Sequence, residues 1–554
     1  RDLVRSRGLG DVYKRQEYCR QLRAKGLMDY DDQMVYAYTM LRSVPELLRH
    51  FQELYPYICV DEAQDTSKIQ HAIIALLASG SENLFMVGDE DQSIYGFRAA
   101  YPEALLTFEK NYPDAKVLLM EENFRSDARI VLAADRFIQK NTLRHEKHMK
   151  AARKPASDIR EISLRSRKAQ YTYLAKLAEG CTSQTAILYR DNECILPLVD
   201  LLERNGIPYQ MRNAELSFFS HRTILDIINI IKLAQKPMDT EAFLQIYYKI
   251  GTYLRKQDAI RIARISEEKR IPVLDVAAED PDLNGHVLGS VRSMRTHLQN
   301  LLQDSGERAL YRIMQYMGYQ EYLNRSGLSD SKLEILRILG SRADSPMELA
   351  ERLEQLKVLI REKEPDRKCP LILSTIHASK GLEYDSVYLI DVADGILPES
   401  IPQNLHQASA EELKAYEEER RLFYVGVTRA KDHLTLFTTN RPSTFCSEFL
   451  GKSSVTEEGR KNLMPVESRI SRTFKQARPY AAVAGIRQTK ASEELYFRLK
   501  EELGTGVIVE HKKYGEGVVT QLDDRLVHIM FQDDTLRMMD LKILANAGLL
   551  KVKK

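Results

Sequence analysis

At 554 residues the chain is too long for a single hydrophobic core, so several domains are expected. Its 44% hydrophobic and 29% charged residues exclude wholesale disorder, and Lys+Arg 81 against Asp+Glu 79 leaves a formal charge of +2, so nucleic acid can be held only by local basic surface. Six scattered cysteines without a CxxC pair argue against zinc or a redox couple, and the lack of a bilayer-length apolar run or a secretory h-region points to a cytoplasmic protein with no membrane contact.

The opening RDLVRSRGLGDVYKRQ begins on Arg and has no apolar periodicity. It reads as a truncated or foreign leader, or else as a basic disordered arm, and is set aside from the fold. From Leu54 onward, YPYICVDE, NLFMVGDED and AKVLLMEENF are short apolar runs ending in acidic or Gly-containing turns, with helical stretches between them. Buried parallel strands have this pattern. A second set, TAILYRDN, LILSTIH, DSVYLIDVAD and HLTLFTTN, implies a second α/β lobe. Between the sets, over 240–363, charged helical periodicity dominates (KQDAIRIARISEEKRI, MELAERLEQLKVLIREK), which predicts a helical insertion into the second lobe. Residues 451–503 are rich in Ser, Thr and basic residues and read as a flexible linker. Beyond it, GVIVEHKKYGEGVVTQLDDRLVHIMFQ alternates apolar and polar residues, with turns expected at Gly515, Gly517 and Asp523, and predicts a small β-barrel-like module over 504–546.

The strand ending at Asp61-Glu62 delivers two carboxylates to the C-terminal edge of a parallel sheet, where ligands bind. This is the Walker B arrangement: Asp61 can hold Mg²⁺ and Glu62 can orient and deprotonate a water attacking the γ-phosphate of ATP. An acidic turn capping a helix at Thr66 or Ser67 fits the same residues.

The strings VDEAQDTSKIQ, LFMVGDEDQSIYGFRAA, LMEENFRS, ILYRDN, GIPYQMRN, LSTIHASKGLEYDSVYLID and EEERRLFYVGVTRAKDHL occur in that order. Together they make the chain resemble the superfamily 1 DNA helicases of the UvrD/Rep/PcrA type from about Met28 to Leu450. The resemblance implies an α/β fold of two RecA-like P-loop NTPase lobes. The first would be incomplete and span 29–147, preceded by a leader and the tail of a first-lobe insertion over 1–28. The second would comprise 148–239 and 364–450 around the helical insertion, with a C-terminal Tudor-like β module. Carried over motif by motif, Glu62, Gln92, Arg125 and Arg429 are the expected catalytic set. Asp61, Gln92, Arg125, Glu383 and Arg429 are expected to bind nucleotide, Glu383 at the ribose. Lys380 and Gly381 lie beside Glu383 in a loop that could approach a ligand closely. Tyr95 and Phe97 would stack on single-strand bases, and Arg98, Thr375, His377 and Tyr384 would complete the DNA side. Phe97 stands where the family usually has Trp, and Tyr384 where Phe is common.

The implied activity is ATP- and Mg²⁺-dependent 3′-to-5′ translocation on single-stranded DNA, with unwinding at ss/ds junctions during repair or replication. The terminal module would contact a protein such as RNA polymerase. Two further features depart from the family. No GxxxxGK[ST] loop precedes Asp61, so the chain is expected to begin inside or just after the first-lobe insertion and not to hydrolyse ATP as it stands; Gly451-Lys452-Ser453 has Cys446 where the first Gly belongs and reads as linker. The helical insertion is also short, and KIGTYL resembles the duplex-binding turn only faintly. A non-catalytic DNA-binding adaptor derived from a helicase is the alternative reading.

Overall fold

The computed structural model describes residues 2–212, 217–327, 331–363, 366, 368–405, 407–441, 443–452, 503, 507–512, 514–522, 526–531, 536–540, 544 and 550–552. The chain forms two compact units that divide between Ser454 and Val455.

The first unit opens on helices Asp2–Ala24, Tyr30–Ser43 and Pro45–Leu54, so the segment set aside as a leader is helical. Strands β1 (Ile58–Val60) and β2 (Leu84–Met86) follow, paired in parallel and linked by the helix Lys68–Ala78. Ser67 caps that helix in a capping box with Gln70, so the acidic turn leads into a cap as well as presenting carboxylates. The expectation of buried strands fails here. Tyr57, Cys59 and Phe85 are exposed, because β1 and β2 form a sheet of only two strands. AKVLLMEENF also departs from its predicted strand. Only β3 (Glu122–Asn123) is extended into a ladder, against β4 (Lys150–Ala151), while Leu118 and Met120 are 82% and 85% exposed. A strand needs a neighbour for its amides and carbonyls, and no described strand runs beside 115–120.

The second lobe is a six-stranded, all-parallel sheet of β5 (Arg160–Leu164), β6 (Thr185–Tyr189), β7 (Gln210–Met211), β8 (Leu371–Thr375), β9 (Tyr384–Leu389) and β10 (Ala430–Thr439), in the order β5-β10-β9-β6-β8-β7. Its central strands β6 and β8 are mostly apolar because both faces are covered, and the two-residue period distributes their side chains between two cores. Ile187 and Tyr189 enter one core and Ala186 and Leu188 the other; Leu371 and Leu373 part from Ile372 in the same way. One core receives the helices Ala128–Ile138, expected within the first lobe, and Ala410–Val427. There Phe137 lies 4.9 Å from Phe423 and 5.3 Å from Phe445 between ring centroids.

The other core is shared with the insertion. Helices from Ser217 to Glu362 lie between β7 and β8, beginning before Thr240, and their apolar faces join Tyr171 and Leu198 in one continuous cluster. Buried Asp200 accepts from Arg204, Arg342 and Arg352, tying the lobe to the last insertion helix. In KIGTYL, Lys249 is buried, 2.5 Å from Asp226, whose other oxygen accepts from Tyr319 at 2.9 Å. That lysine is committed to the core and unavailable to a phosphate.

The second unit is an antiparallel sheet of β11 (Ile508–His511), β12 (Gly515–Leu522), β13 (Leu526–Phe531), β14 (Leu536–Asp540) and β15 (Leu550–Val552), ordered β14-β13-β12-β11-β15. Val509, Val519, Val527, Ile529 and Leu550 supply its core. Gly515 and Gly517 lie within β12, not in a turn, and β15 falls beyond the expected end at 546. The Asp523 turn, and residues 453–502 of the linker, lie outside the described residues.

Candidate functional site

β1 ends by presenting Asp61 and Glu62, both exposed. Glu62 has φ 50°, ψ 41°, a left-handed conformation costing about 1–3 kcal/mol in a non-glycine residue, and such strain gathers where side-chain aim matters. Gln64 Nε2 donates to Glu62 Oε2 at 2.5 Å, while its Oε1 accepts the Asp89 amide at 3.0 Å. Asp61 spends one oxygen on the Glu62 amide, 2.8 Å away. An exposed carboxylate at a sheet edge suits a magnesium ion bound mainly through substrate phosphates, although the described residues contain no cluster of three or more metal-ligating side chains.

The second lobe reaches this edge through Lys380. Its ammonium donates to Asp65 at 2.5 Å and to the Gln92 carbonyl at 2.8 Å, and lies 3.3 Å from Glu62. Burial nonetheless holds the Asp65 carboxyl above its ordinary range. Gln92 is gripped from both sides. Its Nε2 donates to Asp89 at 2.7 Å, and its Oε1 accepts from Arg429 Nη2 at 3.2 Å. Burial would raise Asp89, but Lys147 at 2.7 Å keeps its carboxyl below the usual value. Arg429 is 1% exposed and also donates to the Val425 and Leu382 carbonyls; burial, then the charge of Arg125, pulls it down to about 10. Arg125 pairs with Glu383 at 2.9 Å, and Lys431 approaches the same carboxylate at 3.0 Å. Lys431 and Arg125 hold Glu383 below the ordinary carboxylate range.

Glu62, Gln92, Arg125, Glu383 and Arg429 thus lie close together, with Lys380 joining Glu62 to Gln92 and Arg429 joining Gln92 to the Leu382 carbonyl beside Glu383. Lys147, Lys431 and the cross-cleft role of Lys380 escaped the sequence reading. Lys431 follows Arg429 by two residues in TRAK, which was a usable hint; nothing local marks Lys147.

On the adjoining surface Tyr95, Phe97 and His377 form an aromatic cluster. Phe97 lies 5.9 Å from Tyr95 and 5.6 Å, edge-on, from His377. Phe97 is 69% exposed, and the Arg98 guanidinium lies 5.2 Å from the Tyr95 ring and 5.5 Å from that of Phe97. Burial, then Arg190, depresses His377 to about 4, so the imidazole is neutral at physiological pH. Thr375 accepts the Ala378 amide at 3.1 Å and holds the loop bearing His377. Tyr384 does not fit its expected place on the DNA side. It begins β9 at 2% exposure within the second-lobe core, because its position in the strand points inward. Lys452, in the Gly-Lys-Ser string, is paired with Glu161.

Residues 6–113 match the UvrD/REP helicase N-terminal domain, and 118–441 match the UvrD-like helicase C-terminal domain. The chain is 31% identical over 443 residues to the putative ATP-dependent DNA helicase YjcD of Bacillus subtilis, covering 77% of this chain and 57% of that protein. It is 28% identical over 555 residues to the ATP-dependent DNA helicase PcrA of Staphylococcus epidermidis, covering 94% and 73% respectively. For PcrA of Staphylococcus aureus the identity is 26% over 545 residues, covering 92% and 72%. The chain therefore spans little more than half the length of the Bacillus relative.

Proposed function

Because this chain belongs to the UvrD-like helicase family, whose C-terminal domain alone accounts for residues 118–441, we propose that it is part of an ATP-driven motor moving 3′ to 5′ on single-stranded DNA and opening ss/ds junctions in repair or replication. The observation that carries this reading is the convergence on Gln92. Its backbone receives Lys380 and its side chain receives Arg429, three residues from the exposed aromatic platform that begins at Tyr95. Nucleotide chemistry and base stacking thereby share one short segment.

In the reaction, water attacks the γ-phosphorus, the bond to the bridging oxygen of the leaving diphosphate breaks, and Glu62 takes the proton from water. Arg125 and Arg429 offset charge on the transferring group, and Glu383 orients the ribose. Asp61 would contribute one ligand to a magnesium ion, which neutralises phosphate charge. On the DNA side, Tyr95, Phe97 and Arg98 stack on bases without regard to sequence, while Thr375 and His377 act as neutral donors to phosphate. The antiparallel module at the C-terminus supports a Tudor-like domain for protein contact, with RNA polymerase as the partner suggested by resemblance. The setting we propose is cytoplasmic.

None of the 554 residues forms a GxxxxGK[ST] loop, so we expect hydrolysis only when such a loop is joined ahead of Asp61. The test is single-strand-stimulated ATPase activity of this chain, of a form extended upstream to a phosphate loop, and of that form carrying Glu62→Gln. Activity in the extended form alone supports the motor with Glu62 as its base. An inactive extended form that still binds single strands tightly would favour the non-catalytic adaptor.

A further inference from the structure

We infer that Glu418 is a positioning residue for the single-strand platform, capping the turn that carries Phe97 and tying it to the helix that precedes Arg429. The inference rests on the reading that Tyr95 and Phe97 stack on bases. Phe97 sits in a one-turn 3₁₀ helix, Gly96–Arg98, whose first amides have no partner within the turn. Tyr95 occupies the N-cap position and supplies no side-chain bond to it. Glu418 fills that role from 322 residues away, its Oε1 accepting the Gly96 amide at 2.9 Å. A Cβ on Gly96 would lie within 2.6 Å of Glu418 Oε1, so a side chain there must push the carboxylate aside and break the cap.

Glu418 belongs to the helix Ala410–Val427, which holds the segment at further points. Arg421 Nε donates to the Ser93 carbonyl at 2.8 Å, and just past the helix end Arg429 donates to Gln92. The helix and the turn after it thus touch residues 96, 93 and 92 in turn. Of these three contacts, that of Glu418 lies nearest Phe97. Gly96 is exposed and Glu418 half-buried, so this single bond adds little to the stability of the fold.

The experiment measures binding of a fluorescein-labelled oligothymidylate by anisotropy at fixed salt, with thermal unfolding of each variant in parallel. Glu418→Ala should weaken binding about tenfold at unchanged Tm, and Glu418→Gln, whose amide oxygen still accepts, should stay within about twofold of wild type. Gly96→Ala should weaken binding through the clash, whereas Gly96→Ala with Glu418→Ala should be no weaker than Glu418→Ala alone. Phe97→Ala is the control for stacking. If it weakens binding while Glu418→Ala does not, or if Glu418→Gln is as weak as Glu418→Ala, the capping role is wrong and stacking stands. If Phe97→Ala binds as wild type, or wild type does not bind, the stacking reading fails and this inference with it.

Discussion

Arg429 and Gln92, 337 residues apart, meet with Nη2 donating to Oε1 at 3.2 Å. The bond joins two groups that are both expected at the γ-phosphate. Gln92→Leu and Arg429→Lys should each destabilise the fold, and their double-mutant cycle should give a coupling of about 1 kcal/mol. Urea unfolding of the four proteins measures it, and strict additivity would mean that the two groups do not interact in solution.

Phe97 stands alone as the exposed ring of the platform, and the chain contains no Trp. Base stacking on an aromatic side chain contributes about 1–3 kcal/mol. Phe97→Trp should therefore bind single strands at least as tightly as wild type and add a single indole whose fluorescence is quenched by the strand. An indole unmoved by saturating oligonucleotide would place the bases elsewhere.

His377 titrates near 4 in the fold, against an ordinary value of about 6.5, because burial and then Arg190 disfavour its charged form. Between those values the unfolded chain binds a proton that the folded chain does not. Stability from this group is complete above about pH 6.5 and is lost as pH falls toward 4. Over that window wild type should lose up to about 3 kcal/mol more than His377→Asn, read from urea titrations at several pH values. Parallel losses in the two proteins would refute a depressed His377.

Lys249 pairs with Asp226 at 2.5 Å, both buried, and Tyr319 completes the cluster. Lys249→Met leaves Asp226 as a buried carboxylate without its cation and should cost about 3–5 kcal/mol. Adding Asp226→Leu should restore much of that loss. A Lys249→Met protein of normal stability but impaired duplex binding would instead return KIGTYL to the DNA surface.

Much of the second lobe was legible. TAILY, LILST and DSVYL are short, mostly apolar runs and became central strands of the parallel sheet. The candidate residues Asp61, Glu62, Gln92, Arg125, Glu383 and Arg429 were named by ordered motifs before any geometry, and the fold adds the contacts among Gln92, Arg125, Glu383 and Arg429. AKVLLM carries the same kind of apolar signal but is no strand, because that signal reports a wish for burial and not the presence of a neighbour to provide it.

The sequence by itself determined the family, the positions of its chemical groups and the period-2 alternation that sorts Ile187 from Leu188. Tertiary structure alone decided that Tyr384 faces the core, that Lys147 steadies Asp89, that Lys380 bridges Asp65 and Gln92, and that Glu418 caps Gly96. The physical reason is range. Periodicity and local capping act over a few residues and leave a local pattern, whereas a contact such as that of Glu418 with the Gly96 amide, 322 positions apart, depends on how finished elements pack, which no local pattern encodes.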